Sequence, residues 1–187
     1  MRIFLAVFPP APVRKAALEV AQSLRTPGDG VSWVKEDNLH YTLRFLGEIG
    51  DDGARRAGEA ATRAAAKHTR FDAALGAPGV FPPDAPARVL WLGMAEGGDA
   101  LEALARSLDE ELKLVGFGKA DMRFSAHLTI GRVRHPGRDW AARVAEAAPP
   151  ADAKAALFKV AQLELIESEL SPRGSIYTVR GRYPLGE

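Results

Sequence analysis

The tetrapeptide His-x-Thr-hydrophobic occurs twice, as His40-Tyr41-Thr42-Leu43 and His127-Leu128-Thr129-Ile130, each within a short apolar run of strand-like composition. The two copies lie nearly half of the 187-residue chain apart. A repeat at that distance calls for two equivalent strands in equivalent surroundings, and so for two similar lobes about an approximate two-fold axis. Residues two apart on a strand share a face, so each copy presents an imidazole beside a hydroxyl. Outside the motif the halves resemble each other weakly, and the duplication rests on these eight residues.

Strand patterns run over Arg2–Phe8, Val31–Val34, Tyr41–Leu46, Phe71–Leu75, Arg88–Gly93, His127–Arg132, Phe158–Leu165 and Ile176–Arg180. Helical patterns run over Pro12–Leu24, Asp52–His68, Asp99–Val115 and Asp139–Ala147. Asp51-Asp52 and Gly98-Asp99 supply cap-type residues. The third helix carries Leu101, Leu104, Ala105, Leu108, Leu112 and Val115 on one stripe, opposite a charged, solvated face. Ala77 to Pro86, dense in Pro and Gly, reads as a loop near mid-chain. The helices are too few, and the strands too unevenly spaced, for a doubly wound parallel sheet. The expected fold is therefore α+β: one domain over 1–187, bilobal, with two antiparallel sheets, outer helices, and a cleft between lobes that holds the site.

Composition narrows the chemistry. A hydrophobic fraction of 47% suffices for a core, and no apolar stretch is long enough to span a membrane. The run Ile3–Phe8 is too short for a secretory signal and reads as a buried strand. With no cysteine there are no disulfides, thiolate metal sites or Cys nucleophiles, and the cytoplasm is the default location. A net charge of +1 with a pI near 8.1 does not suit a protein that coats nucleic acid, so any RNA contact should be local. Arg outnumbers Lys 18 to 7, which reads as codon bias. With no long heptad pattern, a monomer is expected.

A lone His on an apolar strand is often a core residue bonded to a carbonyl. Two His with identical Thr partners argue against that. Zinc chemistry needs a third ligand at characteristic spacing, and neither His-Glu-x-x-His nor His-x-His is present; His68 ends a polar helix and His135 precedes a proline. A Gly-x-Ser-x-Gly elbow and a phosphate-binding Gly-rich loop with Lys are both missing. What remains is one general base, one general acid and two hydroxyls around an anionic group, which can cut a phosphodiester without a metal or other cofactor. Arg44 has the parity of His40 and Thr42 and should enter the cleft. Arg132 has the opposite parity to His127 and enters only if the strand bulges at Gly131. Tyr41 and Leu128 have the wrong parity to stack on a base, while Phe8, Trp33 and Tyr177 are candidate walls or core.

The blocks Asn38-Leu39-His40-Tyr41-Thr42-Leu43-Arg44-Phe45-Leu46-Gly47-Glu48 and Ser125-Ala126-His127-Leu128-Thr129-Ile130-Gly131-Arg132 resemble the two-histidine phosphoesterase superfamily. The opening Arg2–Val7 strand and the tail Leu163–Leu170 with Gly174 and Tyr177 support the likeness over nearly the whole chain. More specifically, the sequence looks like the bacterial and archaeal RNA 2′,3′-cyclic phosphodiesterases, historically named 2′-5′ RNA ligases. The resemblance makes His40, Thr42, His127 and Thr129 catalytic, and promotes Arg132 over Arg44 as the phosphate contact. It also implies a bilobal fold with a V-shaped cleft, and an RNA partner ending in a 2′,3′-cyclic phosphate, tRNA fragments among them. The implied reaction is hydrolysis to a 2′-phosphate, with His127 as base and His40 as acid. The same displacement with a 5′-hydroxyl end in place of water gives ATP-independent 2′-5′ ligation. The alternatives are a phosphodiesterase for small cyclic nucleotides and a non-catalytic module that binds RNA ends or nucleotides.

Overall fold

The computed structural model describes residues 1–120, 123–135, 138–149, 156–172 and 174–187. Its first strand, β1 (Arg2–Val7), explains its own unbroken apolar run: it is buried on both faces. Ile3, Leu5 and Val7 enter the main core, and Phe4 and Ala6 meet Ile166 in a smaller cluster on the other side. A central strand with both faces covered shows no polar alternation.

The remaining elements are α1 (Ala11–Leu24), β2 (Val31–Trp33), β3 (Tyr41–Glu48), α2 (Asp51–Ala65), β4 (Phe71–Phe81) and β5 (Val89–Glu96). They are followed by α3 (Gly98–Leu114), β6 (Leu128–Val133), α4 (Trp140–Ala145), β7 (Leu157–Val160), β8 (Gln162–Ser171) and β9 (Gly174–Pro184). The strands pair antiparallel in the order β7-β4-β5-β6-β3-β1-β8-β9, with β2 added to β6. The fold is α+β and antiparallel as expected, but the two expected sheets are halves of one ladder. They join through a single residue pair, Tyr41 with Leu128. Outward from that join the halves correspond strand for strand: β3-β1-β8-β9 on one side, β6-β5-β4-β7 on the other.

The sheet halves are not sequence halves. β4, from the first half of the chain, pairs with β5; β8, from the second half, pairs with β1. Helices α2 and α3 cover the β3-β1-β8-β9 side, and α1 and α4 the other. Among the described residues, no helix is long and apolar enough to cross a membrane.

Several element boundaries differ from the sequence reading for identifiable reasons. Residues 77–81 of the Pro/Gly-dense segment are strand, not loop. β7 pairs only with residues 71–74 of β4, so Pro78 sits in an edge portion at a register shift, where its missing N–H costs nothing. The single strand expected over Phe158–Leu165 is two, β7 and β8, because the chain passes from the edge of one sheet half to the interior of the other at Ala161 without a change in apolar pattern. The expected caps of α2 and α3 are not caps: Gly50 and Gly97 hold those positions, and Asp52 instead binds Arg55 and Arg56. Asp139 does cap α4, its carboxylate accepting from the Ala142 amide at 3.0 Å.

Candidate active site

The join of the two sheet halves builds the site. Tyr41 and Leu128, the middle residues of the two motifs, are opposite each other and fully buried against the helices. By alternation, His40 just before β3 and Thr42 on it, and His127 just before β6 and Thr129 on it, lie on the other face. His40, Thr42 and Thr129 line one cleft of about 580 Å³. His127 is not among its lining residues; its ring stands against Phe81 and Trp91, with centroids 5.1 and 6.5 Å away.

Both imidazoles are held alike. Nδ1 of His40 bonds the Asn38 carbonyl at 2.7 Å, and Nδ1 of His127 bonds the Ser125 carbonyl at 2.8 Å. A carbonyl can only accept, so each Nδ1 carries the hydrogen and each Nε2 is left for chemistry. The acceptor lies two residues before the histidine in both motifs. It is a main-chain atom, so no side-chain pattern announces it.

Each strand then bulges at the fourth motif residue. Ala6 pairs with Thr42 and Leu5 with Arg44, which leaves Leu43 extra. Trp91 pairs with Thr129 and Leu90 with Gly131, which leaves Ile130 extra. An extra residue inverts the parity of every later position on its strand. Arg132 therefore enters the cleft, through the irregularity beside Gly131 that the resemblance requires. Arg44 leaves it, contrary to the undisturbed-strand expectation. It is buried beneath the sheet, with Nη1 2.9 Å from Asp109 of α3 and Nη2 donating to the Gly118 carbonyl at 2.6 Å. These contacts tie β3 to α3 and to the Gly118 backbone.

Gly131 admits this arrangement because β2 crosses it closely. A Cβ there would meet Val31 Cγ1 at 2.7 Å and the Trp33 ring at 3.2 Å. Asp29 anchors that crossing, its carboxylate accepting from the Thr26 and Val31 amides and from Trp33 Nε1 at 2.9–3.1 Å. These donors hold the Asp29 carboxyl below its usual range although burial alone would raise it.

Burial dominates the electrostatics. Phe4, Phe8 and Tyr177 surround the His40 ring at 4.9, 5.3 and 5.4 Å. This desolvation, with the positive fields of Arg132 and His127, lowers the His40 pKa to about 4, against the opposing bond to Asn38. Burial and then Arg132 lower His127 as well, with the Ser125 bond opposing. Both imidazoles are thus neutral in the free protein near pH 7, which differs from the one-neutral, one-charged pair that unperturbed values allow. Of the candidate walls, Phe8 and Tyr177 flank His40 and Trp33 lines the cleft. Phe81 is hidden from the sequence because the Pro/Gly density around it mimics a loop, and Trp91 because nothing in the Arg88–Gly93 strand pattern sets it apart. Among the described residues, no cluster of three His, Asp or Glu could hold a metal ion.

A cleft lined by cations, two threonines and His40, with His127 just before the adjoining strand, can hold a phosphate and move protons. The sequence profile described as LigT-like phosphoesterase matches residues 7–91 and again 92–177. The chain belongs to this LigT-like phosphoesterase family. Relatives within it include the RNA 2′,3′-cyclic phosphodiesterase of Methanothermobacter thermautotrophicus, 32% identical with 95% of each chain covered. That of Thermotoga maritima is 33% identical, covering 96% of this chain and 92% of its own. Among solved structures, a Thermus thermophilus protein superposes with a TM-score of 0.82 at 32% identity, with both chains fully covered. Escherichia coli LigT complexed with 3′-AMP gives 0.82 at 25% identity, covering 100% of this chain and 98% of that one.

Proposed function

We propose that this LigT-like phosphoesterase hydrolyses RNA 2′,3′-cyclic phosphate ends to 2′-phosphates without a metal. The observation that carries this reading is the pair of His-x-Thr motifs on one face of two joined strands, with both Nδ1 atoms tied to carbonyls and Arg132 in the same cleft. The names of the relatives point to the same substrate.

A water attacks phosphorus and gives its proton to Nε2 of neutral His127. The P–O3′ bond breaks, and Nε2 of protonated His40 gives its proton to the departing O3′. Thr42, Thr129 and Arg132 hold the non-bridging oxygens, whose charge grows in the transition state. His40 is neutral until substrate arrives. The phosphate anion supplies the negative charge that raises its pKa and lets it take up the proton the acid role needs. Each proton transfer contributes roughly 10²–10⁴ in rate. With a 5′-hydroxyl RNA end in place of water, the same steps form a 2′-5′ linkage without ATP, O5′ attacking phosphorus as O3′ departs.

The recurrence of strand order, bulge and Nδ1 bond supports reading 1–187 as one duplicated domain, with one motif strand in each sheet half. A cytoplasmic monomer acting on RNA ends, tRNA fragments among them, fits a cysteine-free chain of nearly balanced charge. The test is a short RNA ending in a 2′,3′-cyclic phosphate, incubated in excess EDTA with wild type, His40→Ala and His127→Ala, and the product phosphate position assigned. Conversion to a 2′-phosphate by wild type alone is expected. Loss of wild-type turnover in EDTA, or no turnover by folded wild type, refutes the proposal.

A further inference from the structure

One phosphate accounts for Arg132, yet the cleft holds two more cations, Lys35 and Arg134, and no Asp or Glu among its described lining residues. All three cations are solvent-exposed, and none forms an ion pair among the described residues. A nucleoside 2′,3′-cyclic phosphate carries a single negative charge, so for that ligand two cations are surplus. Uncompensated like charges in one cleft repel each other unless an anion joins them.

Their placement has a direction. Arg134 follows Arg132 by two residues, just past the end of β6 at Val133, about 7 Å further along at strand rise and in the same cleft. That step is comparable to the spacing of successive phosphates in an extended single strand. Arg134 is also oriented: its Nε donates to Ser32 Oγ at 2.9 Å and its amide to the Gly30 carbonyl at 2.7 Å, and among the described residues neither Nη has a partner, so both can fork onto an anion. Lys35 follows β2, the strand paired with β6, and reaches the same cleft.

We propose that Arg134 and Lys35 form a second phosphate subsite, which holds the phosphodiester 5′ of the terminal nucleotide and sets a preference for RNA over mononucleotides. This rests on the cyclic-phosphodiesterase reading above. The RNA then leaves the cleft along the β2–β6 side, away from the aromatic enclosure of His40.

Two substrates and two readouts test it. A dinucleotide and a nucleoside, each ending in a 2′,3′-cyclic phosphate, are compared for kcat/KM with wild type and Lys35→Gln/Arg134→Gln. Binding of the matching 2′-phosphate products is followed against salt. Wild type is expected to favour the dinucleotide by tenfold or more. The double variant should lose that preference while keeping nucleoside turnover within about twofold. The log–log salt slope for the dinucleotide product should fall by about 1.4, the value for two phosphate-neutralising cations on a single strand. Equal losses on both substrates, or an unchanged preference, overturn the subsite while the reaction stands. If wild type turns over neither substrate, the reaction assignment is lost, and an unchanged salt slope then overturns the subsite too.

Discussion

His40→Asn removes one titrating group from the enclosure and keeps an N–H donor for the Asn38 carbonyl. In the folded protein His40 titrates near 4, whereas in the unfolded chain it titrates near 6.5. Between those values the unfolded chain binds a proton that the folded one refuses, so stability rises with pH across the window and is lost as pH falls through it. For these two values the loss is about 2 kcal/mol from pH 7 to pH 5, and about 3 kcal/mol by pH 4. His127 and His68, both lowered, contribute in the same direction in wild type and variant and largely cancel in the difference. Urea unfolding at pH 7, 6 and 5 should therefore show the wild type losing about 2 kcal/mol more than His40→Asn. Imidazole NMR of the wild type should place the His40 midpoint near 4, and inorganic phosphate should raise it. Parallel stability curves for the two proteins, or a His40 midpoint near 6.5 in the free state, would refute the argument that burial and Arg132 control this residue.

Three further substitutions separate the site from its scaffold. Gly131→Ala drives a Cβ into Val31 and Trp33 and should cost about 1–3 kcal/mol, with kcat/KM falling as Arg132 is displaced; thermal melts and steady-state kinetics read both. Arg132→Gln should lower kcat/KM on a cyclic-phosphate RNA by roughly 10²–10³ with little change in melting temperature, whereas Arg44→Ala should lower the melting temperature and leave kcat/KM within a few-fold. Asp29→Ala strands two amides and an indole N–H and should cost about 2–3 kcal/mol at pH 7 in urea titrations. Because its carboxyl is held low when folded, wild type should keep that advantage above its unfolded pKa and lose it only as pH falls through the folded value.

The motif strands, their shared face and the helical stripes are readable from the sequence because each depends on local periodicity. The parity of Arg44 and Arg132 is not. Both reverse through an extra residue at Leu43 and Ile130, and a bulge is set by how neighbouring strands register, a long-range matter that Leu and Ile do not signal. The exchange of β4 and β8 between sheet halves is likewise invisible, since each strand pattern is the same whichever edge it joins. The low pKa of His40 depends on Phe4, Phe8 and Tyr177, drawn from two distant segments, and no spacing within either segment reports it.

The asymmetry between the halves is as informative as their likeness. Beyond each bulge, the first side chain back on the cleft face is Arg132 on β6 and Phe45 on β3, the latter opposite Phe4 of the small apolar cluster. One guanidinium suits one phosphate. Arg132 already lowers His40, and a second arginine at the position of Phe45 would lower it further, working against the protonation that an acid requires. An aromatic ring there, with the Arg2 guanidinium stacked 5.1 Å above it, gives β3 an apolar side chain where β6 has a charged one. Both copies therefore keep the imidazole, the hydroxyl, the carbonyl tie and the bulge. They differ at a position where, with His40 as the proposed acid, duplicating the charge would oppose the proton transfer.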